Sequence, residues 1–212
     1  GSGPCEGALT VNYNGYDYQL VEIGDQCWFA ENLHTTLYSD GNTIPEVMDG
    51  LTWASLDTGA RCSYNNNTSN SESYGLLYNW HTVNNISGLC PSSWHVPSDG
   101  EWIALEIHLG MPEEETTESG IRGSQGFDMK STSGWNSDGN GSNSSGFSGI
   151  PGGDRYYNGS FNNIGDGGYW WTSTASTESE FAFYRNLSAF NNGVSRFDYY
   201  QTGGFSIRCI KD

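Results

Sequence analysis

The densest concentration of recognition chemistry lies in the last third of the chain. Residues 181–200 read Phe-Ala-Phe-Tyr-Arg-Asn-Leu-Ser-Ala-Phe-Asn-Asn-Gly-Val-Ser-Arg-Phe-Asp-Tyr-Tyr. Tyr supplies large contact area at low entropic cost, while Ser, Gly and Asn add adaptable hydrogen bonding, as in antibody loops. The candidate ligand-binding residues are therefore Arg155, Tyr156, Tyr157, Phe183, Tyr184, Arg185, Asn186, Phe190, Asn191, Asn192, Arg196, Asp198, Tyr199 and Tyr200. Arg185 and Arg196 suit cation–π or carboxylate contacts in such a face. Strand alternation sends only half of a run inward. In Tyr169-Trp170-Trp171 at least one ring is then expected to face outward, unless a loop covers it. Plain core packing is the competing explanation. It fits Trp170 and Trp171 better than Tyr184, Phe190, Tyr199 and Tyr200.

A second tract has metal-binding character. Asp138-Gly139-Asn140-Gly141-Ser142-Asn143 places oxygen donors at alternate positions on a glycine-rich loop. Ca²⁺ prefers oxygen ligands, so Asp138, Asn140, Ser142 and Asn143 are its candidate ligands. The spacing is that of the first half of an EF-hand loop, without the bidentate Glu. A hydrogen-bonded turn is the alternative for the same tract. Catalytic chemistry has little to stand on. The histidines at 34, 81, 95 and 108 are scattered, and His95, between Trp94 and Val96, reads as a packed or hydrogen-bonded residue. No Gly-x-Ser-x-Gly nucleophile turn occurs. A non-catalytic protein is expected.

These residues need elements to hold them. Val11 and Tyr13, then Tyr16, Tyr18, Leu20, Val21 and Ile23, alternate around Asn14-Gly15 and predict a hairpin. Residues 34–73 read as loop, ending in an Asn/Ser-rich tract, and 74–83 as a short helix. Ser98 and Glu101 have the capping-box spacing, with Trp102, Leu105 and Leu109 behind them at helical intervals. A helix is expected over 99–109. Glu113-Glu114-Glu115 reads as a solvated helix start. Strands are expected at 169–174, 181–187, 196–200 and 205–210. Strands at both ends, with two helices and long loops between, predict an α+β domain whose terminal strands share one sheet.

Composition bounds the partners. The chain has 212 residues, the size of one large domain. Its formal charge is −17, with lysine only at 130 and 211. That balance disfavours nucleic-acid backbones and anionic membranes, and suits Ca²⁺, neutral polar ligands or basic partners. No apolar run is long enough to span a bilayer, so no direct membrane insertion is expected. Five cysteines, at 5, 27, 62, 90 and 209, form no Cys-x-x-Cys. Four of them can pair in three ways, leaving one thiol. With little lysine and much Asn, Ser, Gly and Tyr, they point to an oxidising, exported setting. The opening Gly1-Ser2-Gly3 reads as a cloning scar, leaving a single domain over 4–212. A native signal peptide is expected to have been removed ahead of it.

Three blocks carry a family resemblance: Val21 to Leu33 (Val-Glu-Ile-Gly-Asp-Gln-Cys-Trp-Phe-Ala-Glu-Asn-Leu), Cys90 to Trp102 (Cys-Pro-Ser-Ser-Trp-His-Val-Pro-Ser-Asp-Gly-Glu-Trp), and a third series. The third runs from Gly146-Phe147 and Pro151-Gly152-Gly153 through Tyr169 to Thr174, ending in Phe205-Ser-Ile-Arg-Cys209. In order and spacing they resemble the Fibrobacter succinogenes major paralogous domain of bacterial surface and secreted proteins. The resemblance implies a C-type-lectin-like fold, related to that of formylglycine-generating enzymes, with a small twisted antiparallel sheet, two helices and long loops. It implies disulfides Cys5–Cys27 and Cys90–Cys209, with Cys62 left unpaired because its usual partner position holds no cysteine. Segment 181–200 also resembles the variable segment that retroelements diversify on this fold. The Glu-Pro-Asn and Trp-Asn-Asp type motifs of calcium-dependent sugar-binding lectins are absent. The expected function is display on a cell surface and recognition of a protein partner through the C-terminal face. A carbohydrate-binding adhesin, or a structural surface or fimbrial module, is the alternative.

Overall fold

A computed structural model describes residues 3–212; Gly1 and Ser2, part of the expected cloning scar, lie outside the described residues. The chain opens with strands β1 (Thr10–Tyr13) and β2 (Tyr16–Ile23), paired antiparallel. Asn14 and Gly15 both take positive φ (51° and 81°) in the turn between them. A type I′ turn needs both its central residues there, which is why Asn-Gly suits it. Strand β3 (Gln26–Phe29) returns along β2.

The stretch predicted to be loop contains helix α1 (Gly50–Ala54), strand β4 (Arg61–Cys62), a 3₁₀ turn at Tyr64–Asn66 and helix α2 (Thr68–Tyr74). The polar tract becomes helical because it caps itself. Asn67 accepts from the Ser69 amide, and Ser71 donates to the Thr68 carbonyl. Gly75, at φ 78°, ends that helix. The helix predicted over 74–83 is therefore divided. Strand β5 (Leu77–Tyr78) pairs with β4, and helix α3 (Trp80–Val83) starts afresh from an Asn79 cap.

Strand β6 (Trp94–His95) leads into helix α4 (Asp99–His108), which has the predicted capping box. The Glu101 amide donates to Ser98 Oγ at 3.2 Å, and the Ser98 amide donates to Glu101 Oε2 at 2.7 Å. Then follow helix α5 (Glu113–Thr116) at the acidic run, strand β7 (Gly120–Arg122) and helix α6 (Gly126–Met129). Strands β8 (Gly152–Arg155), β9 (Phe161–Ile164), β10 (Gly167–Ala175), β11 (Phe181–Ser188), β12 (Val194–Tyr200) and β13 (Ile210–Lys211) complete the chain.

The fold is mixed α+β, but its sheet is not single and small. One five-stranded sheet has the order β1-β2-β3-β13-β6 and carries both terminal strands. A six-stranded sheet, β7-β12-β11-β10-β8-β9, carries the C-terminal third. Pairings are antiparallel except that of β8 with β10. The strand expected at 205–210 shrinks to Ile210–Lys211. Phe205 and Ser206 make only single bridges, to Tyr78 and Trp170.

Of the run Tyr169-Trp170-Trp171, only Tyr169 keeps partial exposure. Trp170 and Trp171 point to opposite faces of β10, as alternation requires, yet both are buried. Trp170 packs with Trp28, Trp102 and Phe147 under α4, and Trp171 with Phe29, Tyr78 and Phe205 on the other side. Core packing is what these two rings do. Disulfides Cys5–Cys27 and Cys90–Cys209 are formed, and Cys62 is free and buried. Such bonds fit an extracellular or otherwise oxidising environment. Among the described residues no helix is long and apolar enough to cross a membrane.

Candidate ligand-binding site

The predicted binding residues divide between the two faces of the β10–β11–β12 sheet. On the α4 side lie Phe183, Arg185, Arg196 and Asp198. Arg185 is fully buried and so cannot touch a ligand. Its Nε donates to Glu106 Oε1 at 2.6 Å and its Nη1 to Asp99 Oδ1 at 2.7 Å, both on α4. Arg122 makes two further hydrogen bonds to Glu106, each 2.9 Å. Arg196 reaches Asp99 Oδ2 at 2.8 Å and stacks over Phe183 at 4.3 Å. Burial raises the Asp99 pKa, but the hydrogen bond from Arg196 and the charge of Arg185 outweigh it; the net shift is downward. The expected carboxylate contacts of these arginines exist, but they lock a helix to a sheet.

Arg155 also leaves the surface. It is buried, sandwiched 4.4 Å from the Trp53 ring and 4.7 Å from the Phe161 ring, and donates to the carbonyls of Val47, Met48 and Gly159. Phe190, Asn191 and Asn192 form the β11–β12 turn, at the far end of the hairpin from the Phe181–Tyr200 pair. They do not join the rest of the predicted set. Asn186 donates to the Gly168 carbonyl within the sheet.

On the opposite face the remaining tyrosines do converge. Tyr156, Tyr184 and Tyr199, with Tyr169, Phe205 and Asp154, line a cavity of about 250 Å³. Phe205 is buried, with ring centroids of Tyr184, Tyr169 and Tyr199 at 4.9, 5.4 and 5.5 Å. Tyr156 stands 6.3 Å from Tyr199. Tyr157 and Tyr200 pack 6.1 and 5.9 Å from Tyr199 and line a second cavity of about 430 Å³ with Asp57, His81 and Glu180. The aromatic face is thus continuous across both hollows.

The cavity contains one acid, and it is almost fully buried. Asp154 is only 2% exposed, and its side chain accepts from Asn163 Nδ2 at 2.7 Å. No salt bridge to it occurs among the described residues. Burial pushes its pKa up to about 7, which the Asn163 hydrogen bond only partly offsets. Tyr169 and Tyr184 have raised pKa values, first from burial and next from the charge of Asp154. Gly153, beside Asp154, has φ 68°, and a Cβ there would meet the Asn162 carbonyl at 2.6 Å. Only glycine gives that close turn into the strand. Asp154, Tyr169 and Phe205 were not among the predicted binding residues. The available signal was an acid at the end of a small-residue strand, next to Arg-Tyr-Tyr.

In the tract predicted to hold Ca²⁺, three of the four candidate side chains are hydrogen-bonded within the protein. Asn140 Oδ1 accepts from the Trp135 amide, and Asn143 Oδ1 accepts from the Ser148 amide. Ser142 Oγ donates to Asp128 Oδ1. Asp138 and Asn143 have φ of 56° and 53°, a region in which Asp and Asn are enriched for conformational reasons. These contacts form a hydrogen-bonded turn. Among the described residues no group of three or more His, Cys, Asp or Glu could hold a metal ion. His95 bonds Glu101 at 2.8 Å and Asp212 at 2.6 Å. Burial lowers its pKa, but these two hydrogen bonds outweigh that and the net shift is upward.

Residues 21–211 match the Fibrobacter succinogenes major domain, and the chain belongs to that family. It matches no curated protein and no solved structure. The first and third of the sequence blocks meet around one buried side chain. Arg208 donates to Asn32 Oδ1 and to the carbonyls of Phe29, Phe147 and Ser148. Asn32 also accepts from Trp170 Nε1 and donates to the Tyr74 carbonyl. Burial lowers the Arg208 pKa to about 9. These contacts tie the two chain segments into one scaffold. The tyrosine-lined cavity draws Asp154, Tyr156, Tyr184 and Tyr199 from segments between the quoted sequence blocks.

Proposed function

We propose that this domain is a non-catalytic, surface-displayed recognition module that binds a protein partner through its tyrosine-rich C-terminal face. The observation that carries this reading is the convergence of Tyr156, Tyr157, Tyr184, Tyr199 and Tyr200 around two adjoining cavities, on a scaffold closed by two disulfides. Aromatic anchors in pockets are where binding energy concentrates at protein interfaces. The −17 charge favours basic partners over anionic ones. The disulfides favour export. The terminal strands sharing one sheet, and the long segment before the final strands, favour the C-type-lectin-like architecture and, with it, retroelement diversification of 181–200.

The test compares the wild-type domain with a Tyr157→Ala/Tyr200→Ala double variant on arrays of surface proteins and of glycans, with Leu9→Ala as an exposed control. Protein hits lost only in the double variant support the reading. Glycan hits lost in the same way would instead support a sugar-binding adhesin, in which half-exposed tyrosines stack on pyranose rings. Hits that survive in the double variant contradict both.

A further inference from the structure

We infer that the cavity around Asp154 binds an organic cation, the ammonium or guanidinium end of a basic side chain presented by the partner. The inference deepens the proposed function and rests on the C-terminal face being the recognition surface. Three features converge on it. The first is shape. A 250 Å³ hollow holds about eight waters at ~30 Å³ each, room for one side-chain end. It falls below the size of sites that take drug-sized molecules.

The second is the wall. Tyr169, Tyr184, Tyr199 and Phe205 present four rings, with neighbouring centroids 4.9–6.2 Å apart. Ring faces are negative, and aromatic cages around alkylammonium groups exploit that. Neutral guests gain only area from such a wall, whereas a cation gains area and electrostatics together.

The third is the floor. Asp154 is buried without a positive partner, although the chain has arginines to spare for buried acids elsewhere. Arg155, the next residue, turns away and gives its guanidinium to three carbonyls. Burying a carboxyl without a counter-charge is costly. Acids left that way concentrate at functional sites. A cation entering the cavity supplies the missing counter-charge and draws the proton off Asp154. Binding therefore strengthens as pH rises through about 7. The groups facing Asp154 are Asn163 from β9, Tyr169 from β10, Tyr184 from β11 and Tyr199 from β12, together with Tyr156 and Tyr64. Burial shifts the Tyr64, Tyr169, Tyr184 and Tyr199 hydroxyls further upward, away from neutrality. His81 lines the second cavity.

The experiment titrates the intact domain with n-butylammonium, n-butylguanidinium and the neutral n-pentanol. Binding is followed through the ¹³C-labelled tyrosine ring signals by NMR. The expected result is that one of the cations binds about tenfold or more tighter than pentanol, a margin lost in Asp154→Asn. Wild-type cation affinity should fall as pH drops below about 7. Equal affinity for pentanol and both cations overturns the inference, as does an Asp154→Asn variant that keeps the full preference. If that variant fails to fold, the wild-type pH series decides: an affinity for cations that is flat from pH 5 to 8 overturns it. These outcomes leave the array test untouched. A face that binds its partner but shows no cation preference rejects this inference alone.

Discussion

The two faces of the six-stranded sheet handle buried charge in opposite ways. Beneath α4, the carboxylates of Glu106 and Asp99 are met by Arg122, Arg185 and Arg196 at 2.6–3.0 Å. On the tyrosine face, Asp154 is equally hidden and has a single amide for company. One acid site is an internal clasp with its counter-charges supplied by the chain. The other retains an electrostatic cost that folding alone gives no reason to keep. Buried charge by itself therefore does not mark a binding site; the inferred cation site rests instead on a buried acid without a partner that lines a cavity.

Breaking the clasp gives the largest effect. Glu106→Gln leaves Arg122 and Arg185 buried without their shared counter-charge and should destabilise by roughly 3–5 kcal/mol. Urea denaturation checks this, and a loss under about 1 kcal/mol would mean that the pairs are replaceable. Cutting a covalent restraint is next. Cys90→Ser opens the bond to Cys209 across 119 residues and should cost roughly 2–5 kcal/mol under oxidising conditions. An unchanged melting temperature would contradict that pairing.

Asp154→Asn sharpens the comparison because its sign is reversed. The carboxyl's pKa rises from 3.8 to about 7 on folding, so the folded state holds the proton more tightly. Its contribution to stability is full below about pH 4 and is lost as pH rises to about 7. Neutralising it should stabilise the domain by up to a few kcal/mol at pH 8 and change nothing below pH 4. A melting-temperature series from pH 3 to 8 reads this directly. Destabilisation at pH 8 would show that the charge is satisfied after all. The smallest effect is Ser98→Ala, which removes the α4 cap and should cost about 1 kcal/mol in the same assay.

What was legible in the sequence was local. Asn14-Gly15 declares its turn, and Ser98 and Glu101 declare their capping box, because the partners lie within three residues of each other. The disulfides were legible through the family blocks, not through spacing. Arg185 was misread because its partner Glu106 lies 79 residues away. A clue existed: Glu106 follows Trp102 by four residues, so helical spacing puts an acid on the buried face, where it demands a cation. The loop reading of 34–73 failed because self-capped helices as short as α2 leave no apolar period. Asp154 was invisible because its environment is assembled from β8, β10, β11, β12 and Phe205, and no local pattern reports that enclosure.

The ionisation of Asp154 tests the account most directly. Its side-chain carboxyl can be followed by ¹³C NMR across pH in the free domain and with n-butylammonium or n-butylguanidinium added. A midpoint near 7 is expected in the free domain, moving down toward the ordinary carboxylate range as the preferred cation binds. A midpoint near 4 in the free domain, unmoved by either cation, would contradict that expectation.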